Sequence, residues 1–227
     1  MFKTLLNLLF PKVCSGCKGI LLESEDVVCT HCRHDMPFTQ HHLIEENETY
    51  KKFYGRLPVE HASSVVYFHK QGIVQELIHN LKYRGKQEIG SLIGKWYIED
   101  IKNIEVLQSV TEVIPVPLHR KKLRQRGYNQ VADFGKALAH GLGADYNDDL
   151  LLRNTYNKTQ TKKNIAARAE IINNSFDVTP TDHDKNKHFL LVDDVITTGA
   201  TLEACGRALL KIPGARVSII TIAYAHI

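Results

Sequence analysis

Residues 189–201 read Phe-Leu-Leu-Val-Asp-Asp-Val-Ile-Thr-Thr-Gly-Ala-Thr. An apolar run leads straight into two adjacent acids, and a cluster of threonines around one glycine follows. Such a run closed by turn-forming residues is a strand, here His188–Val192, and the residues from Ala200 to Lys211 carry helical spacing. The rest of the chain repeats this alternation. Strand composition marks Ala62–Phe68, Glu112–Val116, Leu150–Arg153 and Ala215–Tyr224. Helical spacing marks Gly72–Lys82, Gln87–Ile101, a segment from about Asn129 to His140, and Asn164–Asn173. Alternating strands and helices are βαβ units, so the expected fold is α/β with a parallel sheet.

Open parallel sheets bind ligands at the carboxyl ends of their strands. There the strand delivers Asp193 and Asp194, and Thr197, Thr198, Gly199, Ala200 and Thr201 form the loop that opens the next helix. A helix N-terminus offers free N–H groups and a partial positive charge, which suit a phosphate. The threonine hydroxyls add donors, and Gly199 permits close approach or a positive φ. Acceptors beside a phosphate cradle suit a sugar phosphate, with vicinal hydroxyls at one end and a monophosphate at the other. No G-x-x-x-x-G-K-[ST] loop occurs, and Gly141-Leu-Gly143 lacks the third glycine of a dinucleotide fingerprint. The plainer alternative is an acidic strand end followed by a threonine N-cap.

A basic stretch follows the strand ending near Pro117: Arg120, Lys121, Lys122, Arg124 and Arg126 lie within Leu118–Gln130 with no acid among them. As a loop leaving a strand end, it would fold over a pyrophosphate with Mg²⁺, its arginines clamping oxygens bidentately. Lys82 and Arg84 form a second cluster. Two other readings stand beside this one: a solvated face, or a groove for single-stranded nucleic acid in which Tyr83 and Tyr128 stack on bases. Asp182-His183-Asp184 reads as a solvated polar loop.

The N-terminal part is different in kind. Cys14, Cys17, Cys29 and Cys32 form two Cys-x-x-Cys turns eleven residues apart. Facing each other, such turns complete a thiolate tetrahedron for a structural Zn²⁺, and the insert between them reads as a short hairpin. Reduced thiols or a redox pair are the competing readings. Cys205 stands alone, as a small buried apolar residue would. A segment this short needs such a staple. Leu5, Leu6, Leu8, Leu9 and Phe10 suit a short amphipathic segment, interrupted by Asn7 and followed by Pro11-Lys12 with no small-residue cleavage site. A cytoplasmic chain is therefore expected, with no membrane span. The net charge of +4 is too mild to imply a nucleic-acid or membrane partner by itself. The expected organisation is a zinc ribbon with its N-terminal segment over 1–40, a linker over 41–60 and the α/β domain over 61–227.

The thirteen residues 189–201 resemble the phosphoribosyl diphosphate (PRPP) motif of type I phosphoribosyltransferases. That resemblance implies that Asp193 and Asp194 contact the ribose hydroxyls and that residues 197–201 hold the 5′-phosphate, with Mg²⁺ accompanying PRPP. Several further stretches extend the likeness: the cysteine pairs with Met36-Pro37, Leu81–Gly85, Pro115–Pro117, Arg126-Gly-Tyr-Asn-Gln130 and Gln160-Thr161. Together they resemble the ComF family, a zinc ribbon joined to a phosphoribosyltransferase-like domain and associated with DNA uptake in competent bacteria. Arg168 fits the family pattern, whereas Ile171 stands where that pattern has asparagine. The resemblance implies a type I phosphoribosyltransferase fold, PRPP binding, and phosphoribosyl transfer with pyrophosphate release. Its alternative is a non-catalytic accessory protein that binds single-stranded DNA, with DNA-uptake proteins as partners. No Ser-His-Asp or catalytic-cysteine arrangement is present, so any nucleophile comes from the second substrate.

Overall fold

The computed structural model describes residues 11–153 and 175–226. The expected helix over 164–173, with Gln160, Thr161, Arg168 and Ile171, lies outside the described residues. Strands β1 (Ala62–Phe68), β2 (Glu112–Pro115), β3 (Asp145–Tyr146), β6 (His188–Ile196) and β7 (Arg216–Ala225) form one sheet in the order β1-β7-β6-β2-β3. Every pairing in it is parallel, with Val192 opposite both Ile220 and Pro115. Strands β4 (Leu151–Arg153) and β5 (Phe176–Val178) pair antiparallel as a separate two-stranded ribbon.

Side chains alternate along β6, and the alternation divides the core. Leu190 and Val192 pack under α3 (Ile73–Tyr83), α4 (Glu88–Ile101) and α7 (Ala132–Leu142), against Leu77, Leu81, Ile93, Phe134 and Leu138. Phe189 and Leu191 face the other way, onto Leu202, Cys205 and Leu209 of α8 (Ala200–Leu209). Full burial of each such side chain contributes about 1.5–3 kcal/mol, and the central strands are buried on both faces. Helices α4 and α7 approach closely because Gly94 faces Ala137; a Cβ at 94 would lie 2.7 Å from the Ala137 Cβ.

The N-terminal module docks on the same body. Cys14, Val28, Cys32 and Met36 belong to the apolar cluster under α3 and α4. Asn80 donates to the Ser15 carbonyl at 2.8 Å, and Lys18 pairs with Glu76 at 3.0 Å. The insert between the cysteine pairs is not the hairpin that its spacing suggests. A single antiparallel bridge joins Val13 to Ile20, and Glu25 closes a turn on the N–H groups of Leu22 and Thr30. The module also includes α1 (Thr30–His34).

Residues 41–60 carry α2 (Glu48–Lys51) and lie folded against the sheet. Asn47 donates to the carbonyls of His41, Ile44 and Ala62, while Phe53 and Leu57 enter the α8-side core. A short α5 (Glu105–Gln108) precedes β2. Asp182-His183-Asp184 is not a freely solvated loop: Asp184 is buried, caps its turn on Thr181 and pairs with Lys187 at 3.0 Å.

Candidate functional site

The sheet reverses its direction of growth between β2 and β6. The chain leaves β2 through α7 on one face to reach β3, and leaves β6 through α8 on the other face to reach β7. The carboxyl ends of these two neighbouring strands therefore flank a topological switch point, where parallel sheets open a crevice.

On the β6 side, the strand runs to Ile196, four residues beyond its expected end, so both acids lie within it. Adjacent strand residues point to opposite faces. Asp194 follows Leu190 and Val192 toward α3 and α7 and is buried; Asp193 follows Leu191 toward α8 and is half-buried. Asp194 Oδ1 pairs with Lys82 Nζ at 2.9 Å, and its Oδ2 accepts from Gln130 Nε2 at 2.6 Å. Asp193 Oδ1 accepts the Asp194 N–H at 2.8 Å. Burial pushes the Asp193 carboxyl above the ordinary carboxylate range, and the Asp194 charge adds to the shift. The Asp194 N–H, Lys82 and Arg153 oppose it.

Beyond β6, Gly199 adopts φ +77°, which turns the chain into α8. Thr197, Thr198 and Thr201 are exposed. The loop is braced from residues 52–56. A Cβ at 199 would lie 3.4 Å from the Phe53 ring, and Arg56 donates to the Thr198 carbonyl at 3.0 Å while gripping Glu203 of α8. No local pattern marks Phe53 or Arg56, because each braces a target about 145 residues away.

On the β2 side, the basic stretch is not a loop. Arg120–Arg126 is a helix, α6, capped by the His119 side chain and stopped by Gly127 at φ +78°. It buries none of its residues. Arg120, Lys121, Lys122 and Arg124 are exposed, and no ion pair engages them among the described residues. Arg126 has a different place. It donates to Gln130 Oε1 at 2.6 Å, and its guanidinium lies 5.2 Å from the centre of the Tyr83 ring. Asn129 precedes α7, and its side chain ties the Val116 carbonyl to the Val131 N–H. Tyr128 donates to the Leu81 carbonyl at 2.6 Å and accepts from the Gly85 N–H at 3.2 Å. The stretches 81–85 and 126–130 are thus bolted together beside Asp194. Lys82, Tyr83, Gly85, Gln125, Arg126 and Tyr128 line a cavity of ≈ 160 Å³ there. Arg84 points away, to Glu76 at 3.9 Å.

The four cysteines converge as expected. Their sulfurs all lie within 4.8 Å of one another, with Cys17 and Cys29 at 3.7 Å. Tetrahedral Zn–S bonds of about 2.3 Å require sulfurs about 3.8 Å apart, so the set fits zinc. Backbone N–H groups of Gly16 and Cys29 point at Cys14 Sγ, at 3.3 and 3.2 Å. Burial opposes ionisation of Cys14, yet these donors hold it below the ordinary thiol range.

Residues 134–227 match the family model described as the phosphoribosyl transferase domain, which takes in the acid pair and the threonine loop. The DNA utilization protein YhgH of Salmonella typhimurium is 27% identical over 147 residues, 63% of each chain, so the match spans just under two thirds of that relative. Competence protein F of Haemophilus influenzae is 24% identical over 88% of this chain and 91% of its own. Competence protein ComFC of Bacillus subtilis is 26% identical over 88% of this chain and 78% of its own. Among solved structures, adenine phosphoribosyltransferase from Leishmania tarentolae covers 79% of this chain and 88% of its own, at 14% identity and a TM-score of 0.38, too loose a likeness to bear on the site. The resemblance carried by the cysteine pairs and by residues 189–201 is therefore borne out. The chain joins a four-cysteine module that fits a zinc ribbon to a domain that matches the phosphoribosyl transferase model, and the proteins it is similar to are named for competence and DNA utilization.

Proposed function

We propose that the carboxyl edge between β2 and β6 binds PRPP with Mg²⁺ and transfers its phosphoribosyl group to an acceptor. One juxtaposition carries this reading: a pair of acids stands beside an open helix N-terminus, on a strand at the switch point. The ribose hydroxyls meet Asp193 and Asp194. The 5′-phosphate takes the N–H groups and hydroxyls of residues 197–201, which leaves the C1 substituent to the cations of Lys82, Arg126 and α6. Transfer breaks the bond from C1 to pyrophosphate oxygen and forms a bond from C1 to the acceptor's lone pair, with pyrophosphate leaving. The protein's part is orientation and charge: its carboxylates fix the ribose, and its cations receive the charge of the leaving group. Mg²⁺ bound together with PRPP would neutralise part of the pyrophosphate charge. A cytoplasmic setting, where thiols stay reduced for zinc, goes with this proposal.

Pyrophosphate release from PRPP, measured across bases, amines and single-stranded DNA, tests the transfer. Release with one acceptor class supports it; PRPP binding with no release on any acceptor makes the site a sensor instead of a catalyst. Metal analysis of the purified protein should give about one zinc per chain.

A second reading rests on α6 itself. Four exposed cations without ion-pair partners among the described residues, beside Tyr83 at 63% exposure, suit the backbone and bases of single-stranded DNA. It requires binding that weakens steeply with salt and falls on Arg124→Ala/Arg126→Ala; binding indifferent to salt rejects it.

A further inference from the structure

We propose that Gln130 is a positioning residue for the second acid: it orients Asp194 through a relay that begins at Arg126. Gln130 is 5% exposed, and both ends of its carboxamide are engaged. Nε2 donates to Asp194 Oδ2 and Oε1 accepts from Arg126 Nη1, both at 2.6 Å. A guanidinium can only donate and an ionised carboxylate can only accept, so this orientation of the amide is dictated by its neighbours. Glutamate here would set a second carboxylate against Asp194. An apolar residue would leave Asp194 Oδ2 and one Arg126 N–H without partners.

The relay is itself anchored. Tyr83 lies under the Arg126 guanidinium, and Tyr128 fixes residues 81–85, from which Lys82 reaches Asp194 Oδ1. Each Asp194 oxygen therefore has one fixed donor and keeps a further lone pair for a ligand hydroxyl. The carboxylate is aimed before the ligand arrives, so binding does not have to order it.

This inference rests on the PRPP reading for its ligand and on the side-chain geometry alone for the Gln130–Asp194 contact. The experiment keeps these apart. Gln130→Met, Asp194→Asn and the double variant are compared with wild type in urea unfolding without ligand, and by calorimetric titration with PRPP and Mg²⁺. Gln130→Asn, which keeps the carboxamide, stands in if Gln130→Met does not fold. The expected result is non-additivity in unfolding, together with a loss of PRPP affinity of about tenfold on Gln130→Met that disappears in the Asp194→Asn background. Losses that simply multiply, or a Gln130→Met protein that binds PRPP like wild type, would overturn the positioning role. Wild type that shows the unfolding coupling yet binds no PRPP would sink the ligand reading and leave the contact standing.

Discussion

The two edges of the parallel sheet carry similar residues and treat them in opposite ways. At the amino edge, His188 is buried between the hydroxyls of Ser109 and Ser218, at 2.8 and 2.9 Å. His61 rests on Ser63, and Lys187 is shared by Glu112 and Asp184. Charges and dipoles there are largely matched within the protein, with Glu112 Oε2 the exception. At the carboxyl edge, Thr197, Thr198 and Thr201 are exposed, α6 carries four exposed cations, and the Asp194 charge adds to the upward push of burial on the Asp193 carboxyl. Composition does not separate the edges, since histidines, hydroxyl residues, lysines and acids occur at both. Saturation separates them. Where polar groups have found partners they hold the fold, and where donors and charges are left over we propose that they meet a ligand.

That contrast breaks most visibly with acid. Burial drives His61 and His188 down to about 4, with nearby positive charge adding to the shift. Between pH 6.5 and 4 the unfolded chain then binds more protons than the folded one, so stability falls as pH falls, by up to about 1.4 kcal/mol per pH unit for each group. Urea midpoints measured from pH 7 to pH 4.5 should drop, by less than the two histidines alone would give because the raised Asp193 carboxyl takes up a proton in the folded state over the same range. A His61→Gln/His188→Gln variant should lose the drop, and an unchanged profile in that variant would mean that these histidines charge freely in the folded state. Next in size, Lys187→Met leaves Glu112 and Asp184 buried without their cation. It should cost roughly 3 kcal/mol, at the low end for a buried pair because Lys187 keeps some contact with water. Its thermal midpoint should fall while its PRPP affinity stays that of wild type.

At the carboxyl edge the balance reverses. Gly199→Ala forces a residue with a Cβ into φ +77°, a cost of about 1–2 kcal/mol, and shifts the loop proposed to frame the phosphate. Affinity should fall along with the thermal midpoint, whereas an effect on stability alone would remove the loop from the site. The smallest effect belongs to α6. Arg120→Ala with Arg124→Ala should change stability by less than about 0.5 kcal/mol, since nothing on the helix is buried, and should lower anion affinity in a salt-dependent way.

What could be read from the residues followed their range. The strands, the long helices, the cysteine cluster and the strand–acid–threonine order are local patterns, and among the described residues the structure reproduces them to within about four residues at their ends. The basic stretch reads as a loop because α6 has no apolar stripe for periodicity to find; only Gly127 marks its end. The neighbours of Asp194 were beyond local reading. Lys82 and Gln130 meet it across 112 and 64 positions, and burial alone turns an acceptor pair on paper into one held acid and one half-buried acid. Residues 41–60 look polar enough for a connector, yet Asn47, Phe53 and Arg56 spend their side chains on the sheet and on α8.

The central claim is that the carboxyl edge is a PRPP site, and calorimetry with PRPP and Mg²⁺ on wild type and on Asp193→Ala/Asp194→Ala tests it most directly. The account predicts saturable binding to wild type and a loss of about a hundredfold or more in the variant, which corresponds to roughly 2.7 kcal/mol. Equal affinity in the two proteins would contradict it.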